Sequence, residues 1–277
     1  MKKLKFSVVT PCYNAIGYLP QTVQSVLAQS ALLEGRCELQ YIIVDGGSRD
    51  GTKEYLEALA HPDITWISEP DKGMYDALSK GFVKADGEIF CYINAGDAYF
   101  PWAFEVAAEV FRDESINWIT GLSTLINERG HVFQVARARR YWSSLIQRGA
   151  YGKYLPFIQQ ESTFWRQRLW SSVDKDSLRK MKLAGDYYIW VCFALKNKLY
   201  AVDSMLAAFR IHSGQLSENK REYFSELNGV CSSGLSVVDR AGAWMDKLLA
   251  YFPAGLLRRV GYDNSIRFNQ ENQRWQK

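Results

Sequence analysis

The feature that most constrains this chain is the alternation in its first 110 or so residues. Short β-branched, apolar runs take turns with segments of helical spacing. Residues 6–10 hold Phe6, Val8 and Val9 and are expected to end at Pro11. Residues 39–44, 64–68 and 88–93 are runs of the same kind. Between them, residues 19–29, 52–60, 74–84 and 101–111 place apolar side chains three and four apart, as Leu19, Val23, Val26 and Leu27 show. Strands that alternate with helices imply βαβ units, right-handed crossovers and a mostly parallel sheet flanked by helices. Several strand runs carry too few polar residues to face water on either side, as such a sheet requires.

Beyond Asn117 the pattern is weaker. Residues 118–125 and 131–135 are expected to form a hairpin around Asn127 and Gly130. Residues 161–171 and 186–196 read as helices, and 199–202 and 206–211 as strands. From Glu218 the chain reads as helical and amphipathic, with a polar run from Arg267. The expected organisation is one α/β domain over residues 1–216 and a helical extension over 217–277. Residues 244–260 mix Leu248, Tyr251, Phe252 and Leu256 with Lys247, Arg258 and Arg259. That mixture fits an interfacial membrane helix, a helix packed on the domain, or a homodimer contact, although Pro253 and Gly255 interrupt the period.

Composition narrows the class. With 47% hydrophobic and 23% charged residues the chain has enough apolar surface for a core, so disorder is excluded. A net charge of +4 without a concentrated basic stripe does not describe a nucleic-acid binder, but it is compatible with an anionic membrane surface. The five cysteines are scattered and form no Cys-x-x-Cys pair, so neither a disulfide framework nor a zinc site is indicated. That usage suits a reducing, cytoplasmic setting. No apolar run approaches the roughly 18 residues a membrane span requires, leaving a soluble protein or one peripheral to the inner membrane face.

The chemistry is concentrated where strands end. In an open α/β sheet, ligands bind outside the carboxyl ends of the strands. Pro11 and Tyr13 leave the first strand there, where a ring can stack on a base. Asp45 leaves the second, where a carboxylate can accept hydrogen bonds from a base or a ribose. Residues 45–51 are also good turn and capping chemistry, so the same residues serve either purpose. Asp97 follows the fourth strand, where one carboxylate together with substrate phosphates can hold Mn²⁺ or Mg²⁺. Capping the helix that follows is its other reading. Asp186 opens the helix expected over residues 186–196, as an N-cap or as a base. His212 follows a strand and is either a metal or diphosphate ligand or a solvated loop residue. Gln160, Glu161 and Trp165 are read as lining an acceptor side or starting a surface helix. Arg137, Arg139 and Arg140 form a basic cluster beside Tyr141 and Trp142, fitting an acidic acceptor or a solvated face.

The run from Ser7 to Asn14, the run from Ile43 to Thr52, Glu69-Pro70-Asp71-Lys72-Gly73, Asn94-Ala95-Gly96-Asp97, Gln160-Glu161 and Gly185-Asp186 together resemble a family 2 glycosyltransferase of GT-A fold. The resemblance spans roughly residues 5–215. It implies inverting transfer of a sugar from a nucleotide-diphosphate donor, most often a UDP-sugar, to a glycan or lipid-linked acceptor. It assigns Tyr13 and Asp45 to the nucleoside, and Asp71, with Lys72 and Gly73, to the ribose or donor sugar. It places Asn94, Ala95 and Gly96 beside the donor, Asp97 on the metal and Asp186 as general base. Asn94 and Gly96 stand where the family often has carboxylates, which leaves Asp97 alone. Two rivals are a catalytically silent nucleotide-sugar-binding partner and, less well matched, a sugar nucleotidyltransferase. The latter expects a glycine-rich basic loop after the first strand, which Pro11 to Asn14 do not supply.

Overall fold

The computed structural model describes residues 3–137, 140–212, 214–215, 218–231, 235–249 and 251–277. Strand β1 (Lys5–Cys12) opens the chain, followed by α1 (Leu19–Leu27), α2 (Ser30–Leu33), β2 (Glu38–Asp45) and α3 (Thr52–Ala58). Next come β3 (Ile64–Ser68), α4 (Met74–Val83), β4 (Ile89–Tyr92), β5 (Ala98–Tyr99) and α5 (Ala103–Val110). The second half adds β6 (Trp118–Thr120), β7 (Ser123–Ile126), β8 (Val132–Ala136), α6 (Ser143–Gln147) and β9 (Thr163–Arg166). A 3-10 turn (Gln167–Ser172), α7 (Lys175–Leu178), α8 (Gly185–Ala194), β10 (Leu199–Ala201) and β11 (Ala207–Arg210) complete the body. The extension holds α9 (Lys220–Val230), α10 (Val237–Leu249), α11 (Ala254–Arg259), β12 (Arg267–Asn269) and β13 (Arg274–Gln276).

The main sheet runs β10-β6-β9-β4-β1-β2-β3. Its ladders are parallel except at β9, which pairs antiparallel with both β4 and β6. Alternate residues of the central strands face two separate cores. Val9, Ile42, Val44, Phe90 and Trp165 pack on the side of α4 and α8. Phe6, Val8, Tyr41, Ile43 and Phe164 pack on the side of α1 and α5. Burial on both faces explains why the strand runs read as continuous apolar stretches. A second sheet, β5-β11-β7-β8, stands at the carboxyl edge of the first. It hangs from the loop that carries Asp97, because β5 begins at the next residue.

Four expectations change. Pro11 does not end β1: the strand runs on to Cys12, with Pro11 opposite Val44 and Cys12 opposite Asp45. The β4 ladder has already stopped at Val9, so a residue without an N–H breaks no pairing there. Residues 161–171 are not a helix but the strand β9 followed by the 3-10 turn. Every residue of β9 is buried, and a doubly buried strand has no period by which to tell it from a helix. Residues 118–125 divide, with β6 joining the main sheet while β7 pairs with β8. The polar end of the extension is a hairpin, β12–β13, whose Trp275 N–H donates to Glu109 of α5 at 3.0 Å. The expected domain boundary at 216/217 lies outside the described residues, as does Arg139 of the basic cluster. Among the described residues no helix is long and apolar enough to cross a membrane.

Candidate active site

The first corner of the site is built by stitching two loops together. The loop after β1 turns back through Asn14, which adopts a left-handed φ of 47°. Asn14 N–H donates to Ser48 Oγ at 2.7 Å, and Asn14 Oδ1 accepts from Arg49 N–H at 3.0 Å. Asp50 accepts from Ile16 N–H at 3.0 Å and from the Thr52 hydroxyl at 2.6 Å, which sets the start of α3. The turn reading of residues 45–51 therefore holds, although the N-cap of α3 is Gly51 with no side-chain cap, and the stitched loops flank Tyr13. A Cβ added at Gly46 would lie 2.7 Å from Asp71 Oδ2 and 3.3 Å from Tyr13 Cδ2. Tyr13 and Asp71 thus meet over a glycine that no larger residue can replace without a shift, and Tyr13 stays 64% exposed. Asp45 is fully buried beneath them. It accepts from the Ser48 hydroxyl and N–H and, at 2.7 Å, from the Ser68 hydroxyl. In this structure it shapes the floor of the corner.

The second corner centres on Asp97. Its Oδ1 accepts from the Arg210 N–H at 2.9 Å, while its Oδ2 is buried without a hydrogen-bond partner. Burial raises its carboxyl to about 7, and the Arg210 N–H and guanidinium act in the opposite direction. That guanidinium is spent on loop carbonyls: Gly96 O at 2.6 Å, Glu128 O at 2.7 Å and Asn127 O at 3.2 Å. Thr22 clamps the same turn by donating to Asp97 O at 2.8 Å and accepting from Gly96 N–H at 2.9 Å. Asn94 Oδ1 is likewise buried and unpartnered. His212, two residues past Arg210, stacks on Tyr18 with ring centroids 4.7 Å apart. It lines an open cavity of about 530 Å³ with Asn127, Glu128, Arg129, His131 and Glu218. Among the described residues no group of three or more His, Cys, Asp or Glu could enclose a metal. An orphaned carboxylate oxygen is nonetheless what a hard cation needs when substrate phosphates and water complete its shell. The donor set therefore fits Mg²⁺ or Mn²⁺ held jointly with a diphosphate, and does not fit a cation caged by protein alone.

The third corner holds Asp186 at the start of α8. Its Oδ1 accepts from Tyr187 N–H at 2.7 Å and from Tyr223 OH of α9 at 3.4 Å. Burial pushes its carboxyl up to about 6, and those hydrogen bonds moderate the rise. The approach to Asp186 is held by Glu226, also on α9, which accepts from three successive backbone N–H groups. These are Lys182 at 2.7 Å, Leu183 at 2.7 Å and Ala184 at 2.6 Å. A Cβ at Gly185 would lie 2.6 Å from the Tyr75 ring, whose hydroxyl donates to Leu183 O at 2.9 Å. Lys182 Nζ donates to Lys72 O at 3.0 Å, joining this loop to the segment that carries Asp71 and Gly73.

Glu161 links the second and third corners. It is buried, with Oε1 unpartnered, and its carboxyl sits well above the ordinary range because of burial and the neighbouring charges of Asp97 and Asp186. Both side-chain polar atoms of Gln160 are buried without partners. Trp165 is a correction: expected on the acceptor side, it has no exposed surface and packs among Phe82, Tyr92, Trp190 and Phe193. As the Phe82-side residue of a doubly buried strand it can only be core. Pro11 lies near the end of the β1 ladder opposite Val44, and Ala95 in the turn that leads to Asp97. The sequence alone assigns no individual role to Gly46, Tyr75, Gly185, Arg210, Tyr223 or Glu226. The first three lie within or beside motifs already singled out. Tyr223 and Glu226 sit in a polar helix 37 and 40 or more residues from their partners, with no local signal.

A sheet of this topology with acidic loops gathered at its carboxyl edge is that of the GT-A glycosyltransferases. The family model for glycosyl transferase family 2 matches residues 7–181, and the chain belongs to that family. It is 24% identical over 246 residues to an uncharacterized glycosyltransferase of Nostoc sp., covering 86% of this chain and 74% of that one. It is 24% identical to the putative teichuronic acid biosynthesis glycosyltransferase TuaG of Bacillus subtilis, covering 77% of this chain and 82% of that one. Among solved structures it resembles S. aureus TarS (residues 1–349) in complex with UDP-GlcNAc, with a TM-score of 0.61, 15% identity and coverage of 90% and 73%. The mannosyltransferase PcManGT from Pyrobaculum calidifontis in complex with GDP-Man and Mn²⁺ gives a TM-score of 0.59, 14% identity and coverage of 96% and 77%. The chain is therefore a glycosyltransferase by family and by fold.

Proposed function

We propose that this glycosyltransferase moves a sugar, with inversion, from a nucleotide-diphosphate donor to a hydroxyl of a glycan or lipid-linked acceptor in cell-surface polysaccharide synthesis. The observation that carries the reading is Asp186. A carboxyl raised to about 6 is largely ionised at pH 7 yet basic enough to take a proton in the transition state. Tyr187 N–H and Tyr223 OH hold its Oδ1, and Glu226 fixes the turn that delivers it. In this reading Asp186 accepts the proton of the acceptor hydroxyl as that oxygen attacks the anomeric carbon from the side opposite the departing diphosphate. Burial and the neighbouring charges of Asp97 and Asp186 disfavour the ionised form of Glu161, which lessens the negative charge beside the anionic donor.

On the donor side, Tyr13 stacks on the base, while Asp71 with Lys72 and Gly73 meets the ribose and sugar. Asn94, Ala95, Gly96 and Asp97 face the diphosphate. A divalent cation bound at Asp97, with His212 at its rim, would neutralise leaving-group charge. Most of the acceleration then comes from holding both substrates in attack geometry. UDP is the favoured nucleotide, in keeping with the UDP-GlcNAc complex of TarS. The acceptor class follows the teichuronic acid relative.

The test is calorimetry of UDP, GDP and their sugars with and without Mn²⁺, on the wild type and Asp97→Ala, followed by turnover of Asp186→Asn. Metal-enhanced binding of one nucleotide, lost in Asp97→Ala, is expected, together with a turnover defect in Asp186→Asn that leaves donor binding intact. Absence of nucleotide binding with any metal overturns the donor site. Binding without turnover on any acceptor would instead describe a silent donor-binding partner.

A further inference from the structure

Helix α10 is mounted with its polar side inward. Its two carboxylates face the body: Asp239 pairs with Arg148 at 2.6 Å, and Asp246 accepts from Trp142 Nε1 at 3.1 Å and from Tyr262 OH. Ala243 is the helix's buried residue. The side turned to solvent carries Val238, Trp244, Met245 and Leu248, spaced as one helical stripe. Trp244 is 65% exposed. A helix recruited for its hydrophobic contribution to the fold would be mounted the other way round. The apolar surface continues past α10 through Tyr251, which is 89% exposed, then Phe252 and Leu256.

The exposed charges flanking this surface have one sign. Arg240, Lys247 and Arg259 are exposed. Between residues 235 and 261 the only carboxylates are Asp239 and Asp246, both turned inward. Bulky apolar and aromatic side chains rimmed by cations, with no outward carboxylate, are the composition of a helix that lies in an anionic lipid interface. A second copy of this chain is a poor occupant, because a symmetric pairing would bring the same cations face to face.

From this inverted mounting we propose that α10 and the segment through α11 form a peripheral membrane-docking surface for anionic phospholipid. The apolar stripe enters the headgroup boundary, and Arg240, Lys247 and Arg259 meet lipid phosphates. The inference stands apart from the assignment of donor and base, since none of its residues belongs to the site.

The full-length chain is floated with vesicles of phosphatidylcholine containing phosphatidylglycerol, and with phosphatidylcholine vesicles alone. Wild-type protein is expected to partition onto the anionic vesicles and to be released by high salt. Lys247→Gln with Arg259→Gln should weaken partitioning by roughly 30-fold. Trp244→Ser with Tyr251→Ser should weaken it by about tenfold or more. Both double variants should retain the wild-type circular dichroism and wild-type nucleotide affinity, so a loss of flotation reads on the membrane surface alone. The proposal is overturned if wild type fails to float with anionic vesicles, or if both double variants float like wild type. It is equally overturned if sedimentation shows a vesicle-independent dimer that Trp244→Ser abolishes, because a second copy would then cover the stripe.

Discussion

Replacing Asp186 by Asn separates what this carboxylate does for catalysis from what it costs the fold. Its carboxyl stands at about 6 against an ordinary value of 3.8, and burial is the leading cause. A carboxyl whose pKa rises on folding holds its proton more tightly in the folded state. The contribution of this one group to stability is therefore most favourable below pH 3.8, falls as pH climbs towards 6, and carries the full penalty above that. The interval corresponds to about 3 kcal/mol when the group is fully ionised. Asn is nearly isosteric with the protonated acid and keeps an acceptor oxygen for Tyr187 N–H. The variant should therefore exceed wild type in stability by about 3 kcal/mol at pH 7.5 and by only about 1 kcal/mol at pH 4.5. Urea unfolding at the two pH values measures this directly, provided the slopes match. Turnover of the same variant should fall by two to four orders of magnitude, in line with the usual contribution of a general base. A stability difference that does not change with pH, or an Asn variant less stable than wild type at pH 7.5, would refute the argument that burial has tuned this group.

Three further substitutions probe the surroundings. Tyr223→Phe removes a donor that favours ionised Asp186, so the acid limb of the kcat profile should move to higher pH by less than about one unit. Glu226→Gln weakens three charge-assisted bonds to Lys182, Leu183 and Ala184. It should cost about 2 kcal/mol of stability and lower kcat at least about tenfold, while nucleotide affinity by calorimetry stays at the wild-type value and Glu226→Asp restores part of the loss. Gly46→Ala sets a methyl against Asp71 and Tyr13. UDP affinity should fall by about tenfold or more, with kcat at saturating donor much less affected.

The sequence by itself determined the layer architecture, because strands buried on both faces leave a run such as Ile42, Ile43 and Val44 with no polar side. It also located the turns that carry Tyr13, Asp71, Asp97 and Asp186, since turn and cap residues announce themselves within a few positions. It could not distinguish β9 from a helix, because full burial erases the period, so nothing local separates the buried Trp165 from a residue that lines an acceptor side or starts a surface helix. Only the tertiary structure decided which polar groups meet. Arg210 reaches Asp97 and Gly96 across more than a hundred residues. Tyr223 reaches Asp186, and Glu226 the backbone of residues 182–184, from a helix whose own sequence looks like a solvated surface. The orientation of α10 was equally undecidable beforehand, because an amphipathic pattern specifies two faces but not which of them turns towards the protein. Local sequence records the preferences of a backbone segment; partners distant along the chain are chosen by packing, and that choice set the environment of Asp186.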